Sequence, residues 1–190
     1  MKKEIIGEKL EKINYSGTVN FLEWIKSILI ALIIALIILF FVRPVIVHKQ
    51  SMEPTFSSGD YVFVSTQSYK LFGQPKLGDV VVFKTGTFDA EGKEQCYIKR
   101  IIGTPGDTVK IVDGEVLING ERIEEPYLKE QFASGEMEKK IIPDGKLFVM
   151  GDNRGYSLDS RSAQVGFVDI SSIVGKVIIR VYPFNKIALF

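Results

Sequence analysis

The sequence predicts a mainly β protein: an antiparallel, folded-over or barrel-like sheet domain that follows one N-terminal transmembrane helix. Residues 27–42 read SILIALIIALIILFFV, which contains one serine and no charged residue. Beyond Arg43 the pattern changes to short β-type runs separated by turn signals, without an amphipathic helix of normal length. We therefore expect an N-terminal tail over 1–20, a transmembrane helix over 21–42 and one β domain over 43–190.

The apolar segment has the length of a membrane span. The stretch over 21–42 is close to the roughly 20 residues that cross the hydrocarbon core of a bilayer. A buried core helix is the first alternative, but no polar stripe interrupts the run. A cleaved signal peptide is the second, but the following residues, 43–48, carry no small-residue cleavage pattern. The sequence therefore favours a permanent anchor that Pro44 ends, because proline cannot continue the helical hydrogen bonds.

The orientation of the anchor follows from its flanking charges. Basic residues near the span favour the cytoplasmic side. The N-terminal flank has three of them and the C-terminal flank has two: Lys9, Lys12 and Lys26 against Arg43 and Lys49. We expect a single-pass protein of the cell membrane, with residues 1–20 as a solvated cytoplasmic tail and the β domain on the outer face.

The β domain is predicted from alternation and turn chemistry. Asp113-Gly114 and Asn119-Gly120 are tight-hairpin signals between strand-like runs. The apolar run over 79–83 is typical of a strand that is buried on both faces. The polar stretch over 127–140 is expected to be an exposed loop or a short helix. The predicted strands cover 61–65, 79–83, 108–112, 115–118, 121–123, 146–150 and 173–182.

Composition excludes several classes of function. The 190 residues carry a formal net charge of +1, which gives no basic patch for nucleic acid. Cys96 is the only cysteine, so neither an intrachain disulfide nor a cysteine zinc cluster can form. His48 is the only histidine, so a metal site would consist mainly of carboxylates. We expect no metal and no cofactor.

Ser51 is a candidate nucleophile close to the end of the anchor. The nine residues from Val42 to Ser51 span at most about 30 Å when extended. Pro54 fixes its own φ and biases Glu53 toward extended geometry, which would hold the serine in one place. A loop serine before a turn would look the same, so Ser51 needs a partner that can serve as its base.

Lys99 is the candidate base. On a strand, Tyr97, Lys99 and Ile101 share one face, and Ile98, Arg100 and Ile102 share the other. One of the two basic residues must therefore lie among apolar groups or extend out at an edge. Burial lowers the pKa of a lysine, whereas an arginine stays protonated. If this strand supplies a base it is Lys99, although a surface lysine remains the alternative.

The third element is the polar loop Gly151–Arg161, which reads GDNRGYSLDSR. Such a loop forms many bonds between side chains and backbone. It can be a purely structural turn, or it can supply a hydroxyl that orients a lysine and carboxylates that hold arginines.

Together these elements resemble the bacterial type I signal peptidases, the membrane-anchored serine proteases that remove signal peptides from exported proteins. The resemblance covers most of the chain, and its motifs stand in the order of the family. The ending Tyr182–Lys186 and the single anchor resemble the compact Gram-positive type. The matching blocks are Ser51–Phe56, Gly78–Phe83, Tyr97–Asp107 and Gly151–Arg161.

The resemblance implies a role for each matching residue. Ser51 would be the nucleophile of a Ser/Lys dyad and Lys99 its general base. Ser157 would orient the lysine through its hydroxyl. The supporting ion pairs would be Asp159 with Arg161 and Asp152 with Arg100. Where some relatives have a serine that helps to form the oxyanion hole, this chain has Lys49, so the backbone N–H of Ser51 would carry more of that task.

The expected substrates are pre-proteins that carry a signal peptide, bound beside a lipid bilayer. An extended substrate would lie along strands near residues 45–47 and Ile98 by β-addition. Shallow apolar pockets there would admit only small side chains, as the alanine-like preference of the family implies. The residues expected to contact the substrate are Val45, Val47, Met52 and Ile98.

Four other functions remain to be weighed. Self-cleaving repressor-type proteases share a Ser/Lys pair, but the anchor and the lack of a helix-turn-helix pattern argue against them. A non-enzymatic anchored β domain that binds an export partner or a cell-wall component would make Ser51 dispensable. A histidine triad is disfavoured because His48 lies only three residues before Ser51. A metalloprotease is disfavoured because ligands are scarce.

Overall fold

The computed structural model describes residues 2–71, 73–130 and 132–190, with side chains described outside residues 2–20 and 70. The chain divides into two compact units, Met1–Phe41 and Val42–Phe190. Helix α1, Lys2–Phe41, forms the first unit and includes residues 2–20, the predicted tail. Its segment Phe21–Phe41 is long and apolar enough to cross a membrane. The helix ends shortly before Pro44, because the residue that precedes a proline avoids helical geometry.

The second unit is built almost entirely from antiparallel strands, which confirms the predicted fold class. In the part of this unit that the structure describes, the one α-helix, α2, is the single turn Ser68–Leu71. Short 3₁₀ turns cover Ile170–Ser172 and Phe184–Lys186. The strands are β1 Val42–Ile46, β2 Tyr61–Ser65, β3 Val80–Phe88, β4 Glu94–Gly103, β5 Thr108–Val112, β6 Glu115–Ile118, β7 Glu121–Arg122, β8 Met137–Ile141, β9 Lys146–Met150, β10 Val168–Asp169, β11 Ile173–Tyr182 and β12 Ala188–Leu189.

Eight of these strands form one large sheet. Their order is β1-β2-β11-β3-β4-β9-β10, and β12 pairs with β11. Strand β1 is an end strand of this sheet, and Pro44 lies within it opposite Phe63. Proline lacks the N–H that a ladder requires, so an edge is where it is tolerated. The edge of β1 that faces away from β2 pairs with no strand in the described part of the chain, so a further extended chain could pair with it.

The remaining four strands form a smaller sheet in the order β7-β6-β5-β8. Its two hairpin turns follow the sequence prediction: Asp113 and Asn119 adopt positive φ angles of 51° and 56°, and each is followed by a glycine with positive φ. These conformations are typical of type I′ turns, whose twist matches that of the strands they join.

Strand β8 contradicts the prediction of a loop or short helix over 127–140, of which residue 131 lies outside the described residues. Residues 137–140 belong to β8, which pairs with β5 at the end of the small sheet. Glu138, Lys139 and Lys140 are exposed, as is common on edge strands, where charge discourages pairing with other chains. A strand without a buried face leaves no alternating pattern in the sequence.

Strand β4 lies at the centre of the apolar core. Its residues Ile98, Ile101 and Ile102 belong to three different buried clusters. Lys99 and Arg100 lie between them, and only 3% and 8% of their surfaces are exposed. Both basic residues are therefore buried, where the sequence required only one of them to be. Each must have polar partners, because an unpaired buried charge is costly.

Candidate active site

Ser51 lies in a closed loop between β1 and β2. The loop is closed at its base, where the Val47 N–H donates to the Asp60 carbonyl at 2.9 Å and the Gly59 N–H donates to the Val47 carbonyl at 2.9 Å. Inside the loop, Met52 and Phe56 are fully buried in the apolar core. The residue that follows Ser51 is therefore anchored by packing, which fixes the position of the serine.

The polar loop Gly151–Arg161 holds the other side of this turn. The Asn153 N–H donates to the Ser51 carbonyl at 3.1 Å, and Asn153 Nδ2 donates to the Gln50 carbonyl at 3.0 Å. The N–H of Ser51 itself donates to no acceptor in the described part of the chain. The backbone around Ser51 is thus fixed, while this one N–H stays available.

Lys99 and Ser51 lie within hydrogen-bond distance of each other. Lys99 Nζ donates to Ser51 Oγ at 2.8 Å and to the Ile98 carbonyl at 2.9 Å. The same nitrogen is 5.3 Å from the centroid of the Tyr97 ring. Two residues that are 48 positions apart in the sequence therefore meet, with the amine held by one hydroxyl and one backbone oxygen.

The surroundings of Lys99 favour its neutral form. Burial is the largest influence and lowers the pKa of Lys99 from 10.5 to about 8. The positive charge of Lys49 lowers it further, whereas the carboxylates of Asp159 and Asp152 act in the opposite direction. At pH 7 about one molecule in ten would carry a neutral amine, compared with about one in several thousand for a lysine in water.

Arg100 is paired with Asp152 behind the Ser51 turn. Arg100 Nε and Nη2 donate to the two carboxylate oxygens of Asp152 at 2.9 and 2.6 Å, and Nη1 donates to the Gly78 carbonyl at 2.9 Å. The Thr55 hydroxyl, from the Ser51 turn, donates to the same carboxylate. This bidentate pair satisfies the buried guanidinium and ties the turn to strand β4.

Asp159 and Arg161 form a second pair within the polar loop. Arg161 Nε and Nη2 each donate to the Asp159 carboxylate at 2.9 Å, and the Gly151 N–H donates to it at 3.0 Å. Burial alone would raise the pKa of Asp159, but the hydrogen bonds and charge of Arg161, helped by Ser157 and Gly151, outweigh burial and lower it. Asp159 therefore stays ionised and fixes the Gly151 backbone.

The structure does not show the predicted hydrogen bond from Ser157 to Lys99. Ser157 Oγ is buried and has no hydrogen-bond partner among the described residues. It still helps to lower the pKa of Asp159, although the two side chains do not form a hydrogen bond of normal geometry. A Cβ atom at position 151 would overlap both the Ser157 side chain and the Ser51 carbonyl oxygen. Gly151 thus allows Ser157 to approach the Ser51 turn closely.

The four residues expected to contact a substrate lie together but differ in accessibility. Val47, Met52 and Ile98 belong to one buried cluster, and Val45 packs against it partly exposed. Val47 and Met52 have almost no exposed surface, so in this geometry they support a pocket wall and do not form it. Direct contact of these two residues with a substrate stays a prediction. Val45 and the small exposed part of Ile98 remain accessible.

Two polar residues close to the dyad are on the surface. Lys49 adopts a φ of 69° and is exposed, and its charge still acts on Lys99. Cys96 is a free, exposed thiol on β4. Among the described residues no three His, Cys, Asp or Glu side chains gather in a way that could hold a metal ion.

A cluster of buried side chains that the sequence analysis missed supports this site. Arg154 forms an ion pair with Glu125, and its Nε donates to the Gly151 carbonyl at 3.1 Å. The Tyr127 hydroxyl donates to Glu125 at 2.6 Å, and the Tyr127 ring lies 3.9 Å from the Arg100 guanidinium carbon. Arg154 lies within the polar loop that the sequence analysis singled out. Glu125 is 29 residues away from it, and no local sequence pattern connects the two.

Comparison with known proteins places these features in one family. The profile of the family described as "Signal peptidase, peptidase S26" matches residues 21–182. A signal peptidase I of Bacillus licheniformis is 38% identical over 175 residues, which cover 87% of this chain and 90% of the relative. Signal peptidase IB of Staphylococcus aureus strain COL is 38% identical over 183 residues, 87% of this chain and 91% of the relative. A crystal structure of a signal peptidase I from Enterococcus faecalis V583 is 31% identical, with a TM-score of 0.43 over 54% of this chain and 96% of that chain.

The buried lysine is expected to impose a pH-dependent cost on folding. Between pH 8 and 10.5 the unfolded chain binds a proton at Lys99 that the folded protein does not, so stability rises with pH through this window. The gap between 10.5 and 8 corresponds to about 3 kcal/mol. Only the protein that carries Lys99 gains this stability as the pH rises. The free energy of unfolding of Lys99→Met, measured in urea relative to that of the unsubstituted protein, should therefore fall by about 3 kcal/mol from pH 7 to 10.5. The exposed Lys129→Met serves as control, and a pH-independent difference for Lys99→Met would contradict the burial argument.

The Glu125–Arg154 pair is expected to show strong energetic coupling. Glu125→Leu or Arg154→Met alone removes the ion-pair partner of a buried charge and should lower the free energy of unfolding by about 3 kcal/mol or more. The double variant should lose about 2 kcal/mol less than the sum of the single losses. The exposed pair Arg122–Glu115 is the matched control, with coupling below about 1 kcal/mol. Additive losses for Glu125 and Arg154 would show that the two charges do not depend on each other.

Proposed function

The chain belongs to the peptidase S26 family of signal peptidases, and we propose that Ser51 is its nucleophile and Lys99 its general base. The enzyme is a membrane-anchored serine endopeptidase that removes N-terminal signal peptides from exported pre-proteins with a Ser/Lys dyad. The observation that supports the assignment of these two residues is the 2.8 Å contact between Lys99 Nζ and Ser51 Oγ, made by a lysine that is almost fully buried.

The first step is the attack on the peptide carbonyl. A neutral Lys99 accepts the hydroxyl proton of Ser51 while Ser51 Oγ bonds to the carbonyl carbon. The required displacement of the proton is short, because the two heavy atoms already lie 2.8 Å apart. The Ile98 carbonyl accepts a second hydrogen bond from Lys99 and thereby aims the amine at the serine.

The negative charge that develops on the carbonyl oxygen needs donors that are already in position. The Ser51 N–H is suited to this task, because its backbone is held on both sides and it donates to no acceptor in the described part of the chain. Lys49 is two residues away and exposed, and its positive charge acts on the dyad by lowering the pKa of Lys99. We assign Lys49 no direct bond to the oxyanion.

The second half of the reaction returns the proton. Protonated Lys99 donates it to the leaving amine as the peptide bond breaks, and the acyl group stays on Ser51 Oγ. Lys99, neutral again, then takes a proton from water as the water oxygen bonds to the acyl carbon. It passes this proton to Ser51 Oγ as the ester bond breaks, which restores the serine hydroxyl and the neutral amine. The residues present supply every proton transfer, and the cycle requires no cofactor.

The supporting residues keep these groups aligned. Asp152, Arg100 and Thr55 connect the back of the Ser51 turn with strand β4. Asp159 and Arg161 hold the Gly151 backbone, beside which the buried Ser157 hydroxyl lies. We propose these residues as positioning groups for the dyad, with Ser157 the one whose hydroxyl is available for a further bond.

We propose that the signal-peptide side of the substrate binds beside β1 as an added strand. This strand ends the large sheet, so its outer edge can pair with an extended chain. Val45 and Ile98 would present an apolar surface to the substrate, with Val47 and Met52 packed beneath it. A shallow surface over a filled core suits small side chains.

The substrates we propose are pre-proteins whose signal peptides lie in the same bilayer as the anchor. Confinement to one membrane raises the effective concentration of both partners. We further propose that residues 1–20 face the cytoplasm and the β domain faces outward, since the N-terminal flank of the span carries three basic residues and the C-terminal flank two.

Removal of either member of the dyad is expected to abolish processing. Ser51→Ala removes the nucleophile and Lys99→Ala removes the base, and each should lower cleavage of a pre-protein in detergent by at least about 10⁴-fold while the domain stays folded. Cleavage is read as a size shift on a gel and folding as a cooperative thermal transition. Substantial cleavage by a folded Lys99→Ala variant would disprove the assignment of the base.

The pH profile is expected to report the titration of Lys99. Only the neutral amine accepts a proton, so kcat/KM should rise about tenfold per pH unit at low pH and level off above an apparent pKa near 8. His48→Gln removes the only histidine and should leave this limb unchanged. A rising limb that disappears in His48→Gln would indicate a histidine base instead.

A further inference from the structure

A cleft of about 630 Å³ opens beside the dyad and has no role in the mechanism above. One wall is the end of β3 from Phe83 to Thr87 together with Tyr97 from β4. The opposite wall comes from the segment between 164 and 172 and from Leu158. Its volume lies in the range of sites that bind peptides or small ligands.

The cleft and the dyad are connected through Tyr97. Tyr97 lines the cleft, and its ring centroid lies 5.3 Å from Lys99 Nζ. Leu158, which also lines it, directly follows Ser157 in the chain.

The direction of the leaving group follows from the alternation of side chains on β4. Ile98 belongs to the surface proposed for the signal-peptide side, whereas Tyr97 and Lys99 project to the opposite face of the strand. The leaving nitrogen must come within hydrogen-bond reach of Lys99, which protonates it. The residues after the cleaved bond therefore depart on the Tyr97 face, where the cleft lies.

We propose that this cleft binds the first residues of the mature protein, those that follow the cleaved bond. The proposal rests on the function proposed above and adds a second binding region to it. The chemical class of the ligand is an extended polypeptide of mixed sequence, recognised mainly through its backbone.

The walls of the cleft suit such a ligand. Strand β11 pairs with β3 only as far as Phe83, so β3 continues through Thr87 beyond the end of its partner. An extended peptide can align with this stretch as an added strand. The lining beyond Phe83 mixes polar side chains, such as Thr85, Thr87 and Gln164, with apolar ones, such as Leu158 and Val165. A mixed lining tolerates many side chains, as a site for varied mature sequences must.

The test compares two peptides that share the same signal-peptide side and carry either one or six residues after the cut. The full-length enzyme in detergent should cleave the six-residue peptide with a kcat/KM about tenfold higher, mainly through a lower KM, because only that peptide fills the cleft. Gln164→Trp or Thr87→Trp, which narrow the cleft, should remove this advantage without affecting the one-residue peptide. Gln74→Trp, at an exposed glutamine outside the cleft, is the matched control and should leave both peptides unchanged.

Equal cleavage of the two peptides, or an equal loss for both in the tryptophan variants, would overturn the cleft proposal and leave the proposed function intact. Failure of the unsubstituted enzyme to cleave either peptide would instead contradict the proposed function.

Binding can also be mapped without turnover. Ser51→Ala is incubated with the long peptide carrying a benzophenone side chain at the third residue after the cut. Illumination is expected to label residues 83–87 or 164–172, identified by mass spectrometry. The same probe at the third residue before the cut should label neither segment. Labelling confined to other parts of the enzyme by the first probe would overturn the proposal.

Discussion

Burial of Lys99 is the constraint on which the rest of the second unit depends. An ammonium group in an apolar core is costly, and this cost holds the pKa of Lys99 near 8. The two nearby carboxylates, Asp159 and Asp152, oppose the effect and would raise the pKa further if their charges acted alone. Each is bound to its own arginine, Arg161 or Arg100, whose positive charge offsets its field. The arginine pairs thus limit how far these carboxylates raise the pKa of Lys99, and they also hold the loops together.

The position of Ser51 depends on contacts that come from distant parts of the chain. Met52 and Phe56 anchor its turn in the core, and Asn153 binds its carbonyl from a loop 102 residues further along. Arg180 donates to the Thr55 carbonyl at 2.5 Å from strand β11. No single element could hold the turn, because a short loop has few internal hydrogen bonds. The packed sheet therefore supplies the rigidity that a 2.8 Å contact with Lys99 requires.

The sequence predicted the parts of this structure that local rules determine. Asp113-Gly114 and Asn119-Gly120 specify turns by their own conformational preferences, and the apolar run over 79–83 belongs to a strand with its buried residues as expected. The end strands β1 and β8 were harder to predict from the sequence. Pro44 in β1 and the charged residues 138–140 in β8 interrupt the alternation of apolar and polar residues that marks a strand. The resemblance to a family brought Arg100, Asp152, Asp159 and Arg161 together. Glu125 was missed because its partner Arg154 is fixed only by the tertiary fold.

The packing around Ser51 also constrains which substrates can react. Val47 and Met52 fill the core directly beneath the surface that Val45 and Ile98 present. In the binding mode proposed above, a large substrate side chain would enter only by displacing these packed residues, and filled cores resist such displacement at a cost of roughly 1–3 kcal/mol. Met52 is joined to Ser51 by a peptide bond, so its movement would shift the serine relative to Lys99. A poorly fitting side chain is therefore penalised twice, in binding and in the alignment of the dyad.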